Sequence, residues 1–245
     1  MIHLTRASQR GIINRGKFIV RSLLLGKGIP GHNDRGLYQL GRVDHATLEG
    51  GTLIPMHLHR NDEILSYMRK GTMLHKDSHE NTVPVNNKYL MMMNAGSGFY
   101  HEEGVSEDSK TVEMLQIFMR PRVDDLKPQV QFYELEEEYS INRWRLVGGN
   151  EKSSAPLKIN TEIEVYDARI REGQIEIPEL GDKAGYLYVF DGEARIPEQQ
   201  LELAKGDAIF LENENPVVQT EETADIVLFV LDKNAGFSRN GLFAR

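Results

Sequence analysis

The stretch Met56-His-Leu-His-Arg-Asn-Asp-Glu-Ile-Leu-Ser-Tyr-Met-Arg-Lys-Gly71 opens with two histidines two positions apart and continues into an apolar run that ends at a glycine. Side chains at positions i and i+2 project from the same face of a β-strand, about 7 Å apart along the backbone. His57 and His59 can therefore converge on one ion. The run from Glu63 to Gly71 predicts a further strand and a tight turn. This stretch predicts a β-fold built around a metal site.

A second pair with the same spacing, His101 and Glu103, follows the glycine-rich turn Gly96-Ser-Gly98. If its strand faces that of His57 and His59 inside a barrel, three imidazoles and one carboxylate close on a point. Nitrogen and carboxylate ligands with open positions suit non-haem iron or another divalent transition metal. A lone pair of either kind is more often part of an exposed strand face, and the combination of the two pairs with this spacing favours a metal site.

Strand signals dominate the rest of the chain, and convincing helical periodicity is scarce. The best helical candidate, Phe132 to Tyr139, is short and acidic and predicts either a helical turn or a linker. Many short strands with regular turns indicate a sandwich or barrel. The runs richest in β-branched and aromatic residues are Leu115–Met119, Ile163–Tyr166, Tyr186–Phe190, Ala208–Leu211 and Ile226–Leu231.

An internal repeat indicates a duplicated fold. Glu63 to Gly71 leads into Thr72-Met-Leu, and Gly185 to Gly192 leads into Glu193-Ala-Arg-Ile. Each unit predicts a strand, a tight glycine turn and another strand. All eight histidines fall between His3 and His101, so the two halves carry different chemistry. We therefore predict two tandem β-barrels, with the boundary in the acidic and glycine-rich sequence that begins near Tyr133.

The composition excludes several classes of protein. A net charge of -8 without a dense Lys/Arg run argues against direct nucleic-acid binding. The absence of cysteine excludes disulfides, thiolate ligands and a cysteine nucleophile. There is no phosphate-binding loop and no serine in a nucleophile elbow. No run approaches eighteen apolar residues and the N-terminus lacks a long apolar segment, so we expect a cytoplasmic protein without a membrane span.

The spacing Gly51-x5-His57-x-His59-x3-Glu63 resembles the first cupin motif, and Gly98-x2-His101 resembles the end of the second. The resemblance is closer to the pirins, whose signature His-x-Asp-Ser is matched by His75-Lys-Asp77-Ser78 and whose Ala-Gly-x-Gly-x2-His-x-Glu is matched from Ala95 to Glu103. It implies an all-β fold of two tandem cupin (double-stranded β-helix or jelly-roll) barrels. Residues 1–133 would form an N-terminal metal-binding cupin domain and residues 134–245 a C-terminal cupin domain that lacks metal ligands. A monomer is the default for this family.

The resemblance also chooses the carboxylate ligand. In many cupins the acid four residues after the second histidine binds the metal, which nominates Glu63, whereas in pirins it is the acid two residues after the third, here Glu103. It thus implies His57, His59, His101 and Glu103 as ligands, with Glu63 as an acid that orients them or stabilises the fold. The ion would be one divalent transition metal, Fe by family likeness, with Ni, Cu, Mn, Co and Zn as alternatives.

Two departures bear on function. Aligning Gly71 with Gly192 and Lys88 with Gly206 places no histidine at any of the three histidine positions of the second half, which is therefore predicted to be a packing partner. The segment from Ile19 to Val43 lacks the aromatic-rich sequence that lies near the metal cavity in pirins, so substrate preference is the least transferable property. The second-half positions that align with His57, His59, His101 and Glu103 are Pro178, Leu180, Gln219 and Glu221, respectively.

Three functions compete. Some pirins resemble quercetinases, which implies a dioxygenase that chelates the 3-hydroxyl of a flavonol-like aromatic substrate, uses dioxygen and takes a proton on Glu103 as general base. Other pirins look like redox-responsive partners of transcription factors or metabolic enzymes, which implies a non-enzymatic, iron-dependent regulatory protein with a protein partner. The third is an isomerase or storage-type cupin for a sugar or organic acid. The segment from Met91 to Tyr100 favours an apolar or aromatic ligand over a sugar.

Weaker signals receive plainer interpretations. His75 and His79 flank a turn and are predicted to lie on a solvated hairpin. The run from Met91 to Met93 is predicted to fill the core. The sequence alone leaves open whether the tail from Phe237 to Arg245 packs back across the barrels.

Overall fold

The computed structural model describes residues 1–23 and 25–245. These residues form nineteen β-strands and two short 3-10 turns (Ala7–Gln9 and Pro197–Gln199), and this part of the chain contains no α-helix. The strands are β1 Ile2–Thr5, β2 Gly11–Asn14, β3 Phe18–Leu23, β4 Leu40–Leu48, β5 Leu53–His59, β6 Glu63–Lys70, β7 Thr72–Asp77, β8 Thr82–Asn86, β9 Tyr89–Asn94, β10 Phe99–Gly104, β11 Val112–Met119, β12 Gln129–Glu134, β13 Arg145–Gly149, β14 Leu157–Lys158, β15 Ile163–Glu176, β16 Ala184–Ile196, β17 Leu201–Ala204, β18 Ala208–Glu212 and β19 Val217–Leu231.

The first half is a sandwich of two antiparallel sheets. A seven-stranded sheet has the order β12-β9-β6-β11-β4-β3-β2, and a four-stranded sheet has the order β5-β10-β7-β8. Side chains of both sheets share one apolar cluster, in which Met68 and Met91 of the larger sheet meet Met73 and Val85 of the smaller one. The methionines from Met91 to Met93 are fully buried, so the prediction that they fill the core is confirmed.

The seven strands of the second half, β13 to β19, and strand β1 form one sheet of eight strands, in which β16 pairs with β17, β18 and β19. One face encloses its own apolar core, and the other packs against the larger sheet of the first half. This second contact brings Tyr67 and Leu115 together with Tyr186 and Phe229. The predicted all-β fold of two cupin units is confirmed, as are the five strand runs identified from composition.

The two predicted glycine turns differ in form but share a backbone conformation. Gly71 and Gly192 have φ angles of +76° and +79°, a region that side chains other than glycine rarely adopt. A Cβ at these positions would lie 2.9 Å from the Thr111 carbonyl oxygen and 2.1 Å from that of Thr223. Gly71 separates strands of different sheets, whereas Gly192 lies inside the continuous strand β16. The turn predicted at Gly192 is therefore wrong, because a bend within one strand carries the chain past it.

The two ends of the chain cross to the opposite halves. Strand β1 pairs with β18 and extends the sheet of the second half, while the last residues pack on the first half, where the buried Arg120 donates to main-chain oxygens of Ala244 and Arg245. The exact division into residues 1–133 and 134–245 stays a prediction.

The helical turn considered between Phe132 and Tyr139 does not form. Its first residues belong to β12, where Phe132 pairs with Met91, and the described chain continues from there without a helix. The residues that follow the strand are mostly exposed and form neither helix nor strand, in agreement with the linker alternative. Among the described residues, no helix is long and apolar enough to span a membrane.

Candidate metal centre

Strand register brings the two predicted histidine pairs together. Strands β5 and β10 pair antiparallel, and His101 lies directly opposite His57. Residues directly opposite each other in a ladder project from the same face, and His59 shares that face because it is two residues from His57. The three imidazoles occupy the inner face of the smaller sheet, and one ligand atom from each lies within 4.8 Å of the others.

The first two rings meet through nitrogen atoms that carry lone pairs. Nδ1 of His57 lies 2.9 Å from the carbonyl oxygen of Pro55, and Nδ1 of His59 lies 3.3 Å from Oδ2 of Asp62. Both oxygens are acceptors, so each Nδ1 carries a proton and donates it. In the neutral rings the lone pair then sits on Nε2, and the two Nε2 atoms face each other at 3.0 Å. This arrangement is favourable only when a cation lies between them.

The third ring is oriented by a chain of buried polar groups. Nε2 of His75 donates to Oδ2 of Asp77 at 2.9 Å, so its Nδ1 is free to accept a hydrogen bond. Nδ1 of His101 lies 3.4 Å from that atom and donates to it. Nε2 of His101 is buried and finds no hydrogen-bond partner among the described residues. An unpaired buried lone pair is costly unless something binds it, and a metal ion fits that requirement.

The solvated hairpin predicted for His75 is wrong. His75 is completely buried and Asp77 nearly so, whereas His79 is exposed with its ring edge against Phe99. The reason is the alternation of β7, whose odd-numbered residues from Met73 face the core. Their partner strand β10 places His101 opposite Asp77 and Glu103 opposite His75. The His-x-Asp signature was the signal in the sequence that these two residues serve the site.

Burial keeps the rings in the form that binds metal. Desolvation lowers the pKa of His101 far below its ordinary value, and the neighbouring His59 and His57 lower it further. Desolvation also lowers the pKa of His57 and of His75. Neutral imidazole is the ligand form of histidine, so these pKa shifts prepare the cluster for a divalent ion at neutral pH.

Glu103 lies beside the three histidines without joining their tight cluster. Its Oε1 is 4.0 Å from Nδ1 of His101, and its side chain is almost fully buried. Strand β5 holds a bulge at this point, so Glu103 faces Ile54 rather than Pro55. The amide of Gln116 donates to Oε1 at 3.2 Å. Burial raises the pKa of Glu103 to about 7, although the Gln116 hydrogen bond lowers it.

Glu63, the other candidate carboxylate, faces the junction between the two halves. Its Oε2 accepts from the side chain of Asn94 and, at 3.1 Å, from the backbone N–H of Asn160. Its Oε1 accepts from the Asn160 amide at 3.1 Å. Burial raises its pKa to about 7 despite these hydrogen bonds. The two hydrogen bonds from Asn160 hold the second half against the first, and the one from Asn94 lies within the first half.

The C-terminal tail contributes residues that no sequence pattern indicated. The ring of Phe243 lies 4.6 Å from the ring of His59 and stacks at 5.5 Å on Phe118. Asp62, which accepts from His59, also accepts from the tail backbone. The open question about the tail is thus answered: it packs back onto the first half beside the histidines.

The corresponding region of the second half is built differently. Leu180 lies in the apolar core. Gln219 and Glu221 line a cavity of about 520 Å³ together with Arg195, which pairs with Glu221 at 3.1 Å. The position aligned with His59 thus holds an apolar core residue, and the position aligned with Glu103 holds an ion-paired glutamate.

Two largely antiparallel β units in tandem, with a histidine cluster on the inner face of the first, define a two-domain cupin protein. The family model for pirin matches residues 31–119, and the model for the quercetinase C-terminal cupin domain matches residues 146–231. The chain belongs to the pirin family. The resemblance predicted from the motifs is confirmed.

Relatives and solved structures agree with this assignment. The Zymomonas mobilis protein ZMO1337 is 30% identical over 178 residues, which cover 71% of this chain and 74% of that protein. The quercetin 2,3-dioxygenase of Escherichia coli K12 is 23% identical over 232 residues, or 94% of this chain and 99% of its own. The crystal structure of the E. coli bacterial pirin YhhW in complex with nickel(II) has a TM-score of 0.82 at 22% identity and covers 94% of this chain and 99% of its own.

Proposed function

We propose that this pirin is a metal-dependent dioxygenase of the quercetinase type that acts on a flavonol-like aromatic substrate. One divalent ion would bind to His57, His59, His101 and Glu103, with iron as the first candidate. The protein would work as a monomer in the cytoplasm. The observation that carries the proposal is the 3.0 Å approach of the Nε2 atoms of His57 and His59, both with Nδ1 committed elsewhere.

The donor set fits a divalent transition metal. Imidazole nitrogens bind such ions at about 2.0–2.1 Å, so rings whose nitrogens are 3.0 Å apart need little movement to bind the same ion. Nε2 of His101, which has no hydrogen-bond partner in residues 1–23 and 25–245, would supply a third nitrogen, and Glu103 would supply an oxygen. Three nitrogens and one carboxylate leave positions open for substrate, as in non-haem iron sites.

A bound divalent ion supplies Lewis acidity that lowers the cost of negative charge on the 3-hydroxyl oxygen of a flavonol. The protein residues supply the proton chemistry. Glu103 is the candidate general base because its carboxylate lies beside the three histidines, and it would leave the ion or change its binding to it in order to take the hydroxyl proton. The amide of Gln116 holds the carboxylate in place, and burial excludes water from it.

The relatives support the substrate class. The E. coli K12 relative carries the name quercetin 2,3-dioxygenase and aligns with nearly the whole of this chain. The phenyl rings of Phe118 and Phe243, stacked beside His59, provide an aromatic wall that suits an aromatic substrate. Iron rests on family likeness, and the nickel in the related E. coli pirin makes nickel the first alternative to test.

Oxygen uptake tests the proposal. Protein loaded in turn with Fe²⁺ and Ni²⁺ should consume quercetin and dioxygen and release carbon monoxide. His57→Ala and His59→Ala should abolish this, whereas His3→Ala, which removes a histidine from strand β1 in the opposite half, should not. Metal-loaded wild-type protein that turns over no flavonol above the His57→Ala level would contradict the dioxygenase. That result would favour the alternative of a non-enzymatic, iron-dependent regulatory protein.

A further inference from the structure

One carboxylate joins the candidate metal centre to the C-terminal tail. Asp62 has no exposed surface. Its Oδ2 faces Nδ1 of His59 at 3.3 Å. Its Oδ1 accepts two backbone hydrogen bonds from the tail, from the N–H of Phe243 at 3.0 Å and from the N–H of Ala244 at 2.9 Å. The two oxygens of one buried side chain thus serve a metal-ligand candidate and the chain terminus.

Further buried hydrogen bonds hold the tail in place. Arg120, fully buried, donates to main-chain oxygens of the tail, to that of Ala244 at 3.0 Å and to one of Arg245 at 2.6 Å. Its guanidinium is fixed by Asp34, whose two oxygens accept at 2.6 and 2.8 Å. Ala244 is fully buried. These contacts give residues 241–245 a defined seat.

The seated tail carries Phe243 onto the site. Its ring lies 4.6 Å from the His59 ring and stacks on Phe118 at 5.5 Å, and 38% of the residue is exposed. The ring therefore shields a face of His59 from solvent. If the tail left its seat, His59 would lose this cover and Asp62 would lose two donors.

From these contacts we infer that Asp62 is a positioning residue that couples metal binding to the seating of the C-terminal tail. The inference rests on the proposed metal site and adds the tail to it. When His59 binds an ion through Nε2, its proton stays on Nδ1 and needs an acceptor. The tail amides need an acceptor at the same side chain. Only a carboxylate offers acceptor oxygens on both sides.

An asparagine at this position has only one acceptor oxygen, so it could accept from His59 or from the tail amides but not from both. With its oxygen toward the tail, its NH2 group would point at Nδ1 of His59 and force the proton of that ring onto Nε2, where an ion would have to bind. With its oxygen toward His59, its NH2 group would face the two tail N–H groups. In Asp62→Asn, metal binding should therefore release the tail, and a seated tail should oppose metal binding.

The test uses Ni²⁺ as the probe and Arg245 as the reporter. Ni²⁺ affinity is measured by competition with a chelator, and tail seating by the rate at which carboxypeptidase B removes Arg245 with and without Ni²⁺. In Asp62→Asn we expect about a ten- to hundredfold loss of Ni²⁺ affinity and an Arg245 release that Ni²⁺ accelerates. In the wild type, Ni²⁺ should slow the release, because coupling between two binding events is reciprocal. Asp124→Asn is the matched control, because Asp124 contacts the same tail through Asn240, and it should behave as the wild type.

A second variant keeps the test decisive if Asp62→Asn does not fold. Phe243→Ala changes a partly exposed residue and leaves Asp62 intact. It should speed Arg245 release and lower Ni²⁺ affinity together. Faster release with unchanged affinity would overturn the coupling, as would an Asp62→Asn protein that binds Ni²⁺ like the wild type and releases Arg245 at a rate that Ni²⁺ does not change. Wild-type protein that fails to bind Ni²⁺ would instead contradict the proposed metal site itself.

Discussion

Nδ1 of His75 lies 3.4 Å from Nδ1 of His101, and Asp77 anchors the far side of the His75 ring. The proton positions follow from the carboxylate at the end of this chain, which accepts and cannot donate. His101 is thereby left with its lone pair on Nε2, facing the other histidines. A histidine that sequence patterns placed on a solvated hairpin thus fixes the tautomer of a ligand candidate.

The hydrogen-bonded series from His101 through His75 to Asp77 predicts that His75 and Asp77 affect the affinity of the site for metal. His75→Ala removes the acceptor for Nδ1 of His101, and Asp77→Asn weakens the anchor of His75. Loss of such outer groups typically lowers metal affinity by about ten- to a hundredfold. Chelator competition with Ni²⁺ measures the change. His79→Ala, at an exposed position of the same hairpin, should leave the affinity unchanged. Equal Ni²⁺ affinities of the His75→Ala and His79→Ala proteins would contradict the proposed role of His75.

Glu103 and its neighbour Glu102 form a matched pair for testing the proposed base. Glu103 is buried beside the histidines, whereas Glu102 points to the other face of β10, 3.6 Å from Lys76. Glu103→Gln keeps the size of the side chain but removes the charge and the proton acceptor. Turnover of quercetin should fall by about 10² to 10⁴, more than metal content does, and Glu102→Gln should stay near the wild-type rate. A Glu103→Gln enzyme with wild-type kcat would rule Glu103 out as the base.

Glu63 predicts a pH dependence of stability. Because burial raises its pKa in the folded protein from 4.5 to about 7, its contribution to the free energy of unfolding is present below pH 4.5 and is lost as the pH rises through 7. The full shift corresponds to about 3 kcal/mol. Glu63→Gln should therefore show a smaller loss of stability than the wild type between pH 5 and pH 8.

Denaturant unfolding at several pH values measures this difference. The substitution is tolerable because the Asn160 amide, which donates to Oε1 at 3.1 Å, can turn to accept from the new NH2 group. Glu136→Gln at an exposed position is the control and should run parallel to the wild type. The assignment fails if Glu63→Gln also runs parallel.

Replacing Gly192 with alanine should lower the stability through both backbone strain and a steric clash. The same replacement at Gly181 causes the strain alone and so separates the two effects. Gly192→Ala would place its Cβ 2.1 Å from the Thr223 carbonyl oxygen at a φ of +79°, so strain and a backbone clash add up. Gly181→Ala has a φ of +55° and meets nothing within 4 Å, so only the strain applies. We expect a loss of about 3 kcal/mol or more for the first and about 1 kcal/mol for the second. Equal losses by chemical denaturation would contradict the described bend in β16.

The strands and the histidine pairs could be predicted from the sequence because both depend on local pattern. Alternation places His57 and His59 on one face of a strand whatever the rest of the chain does. The register that sets His101 opposite His57, and the bulge that shifts Glu103, depend on contacts between strands and have no local signature. The bend at Gly192 was misread for a related reason, since a turn and a bend within a strand require the same glycine.

Contacts between distant parts of the chain account for what sequence patterns missed. The Asp62 carboxylate meets Phe243 and Ala244 only because the tail returns to the first half. His75 stands next to turn-forming residues in the sequence, which suggested a solvated hairpin. Its burial follows from the pairing of β7 with β10. Side-chain roles set by such long-range pairing become visible only in the fold.

The number of metal ions bound per chain tests the proposed histidine site. Protein incubated with Fe²⁺ under anaerobic conditions, and separately with Ni²⁺, is freed of unbound ion and analysed for metal per chain. We expect one ion per wild-type chain, little or none in His101→Ala and His59→Ala, and one in the control His3→Ala. A folded wild-type protein that retains neither ion, or a His101→Ala protein that retains a full equivalent, would contradict the proposed site.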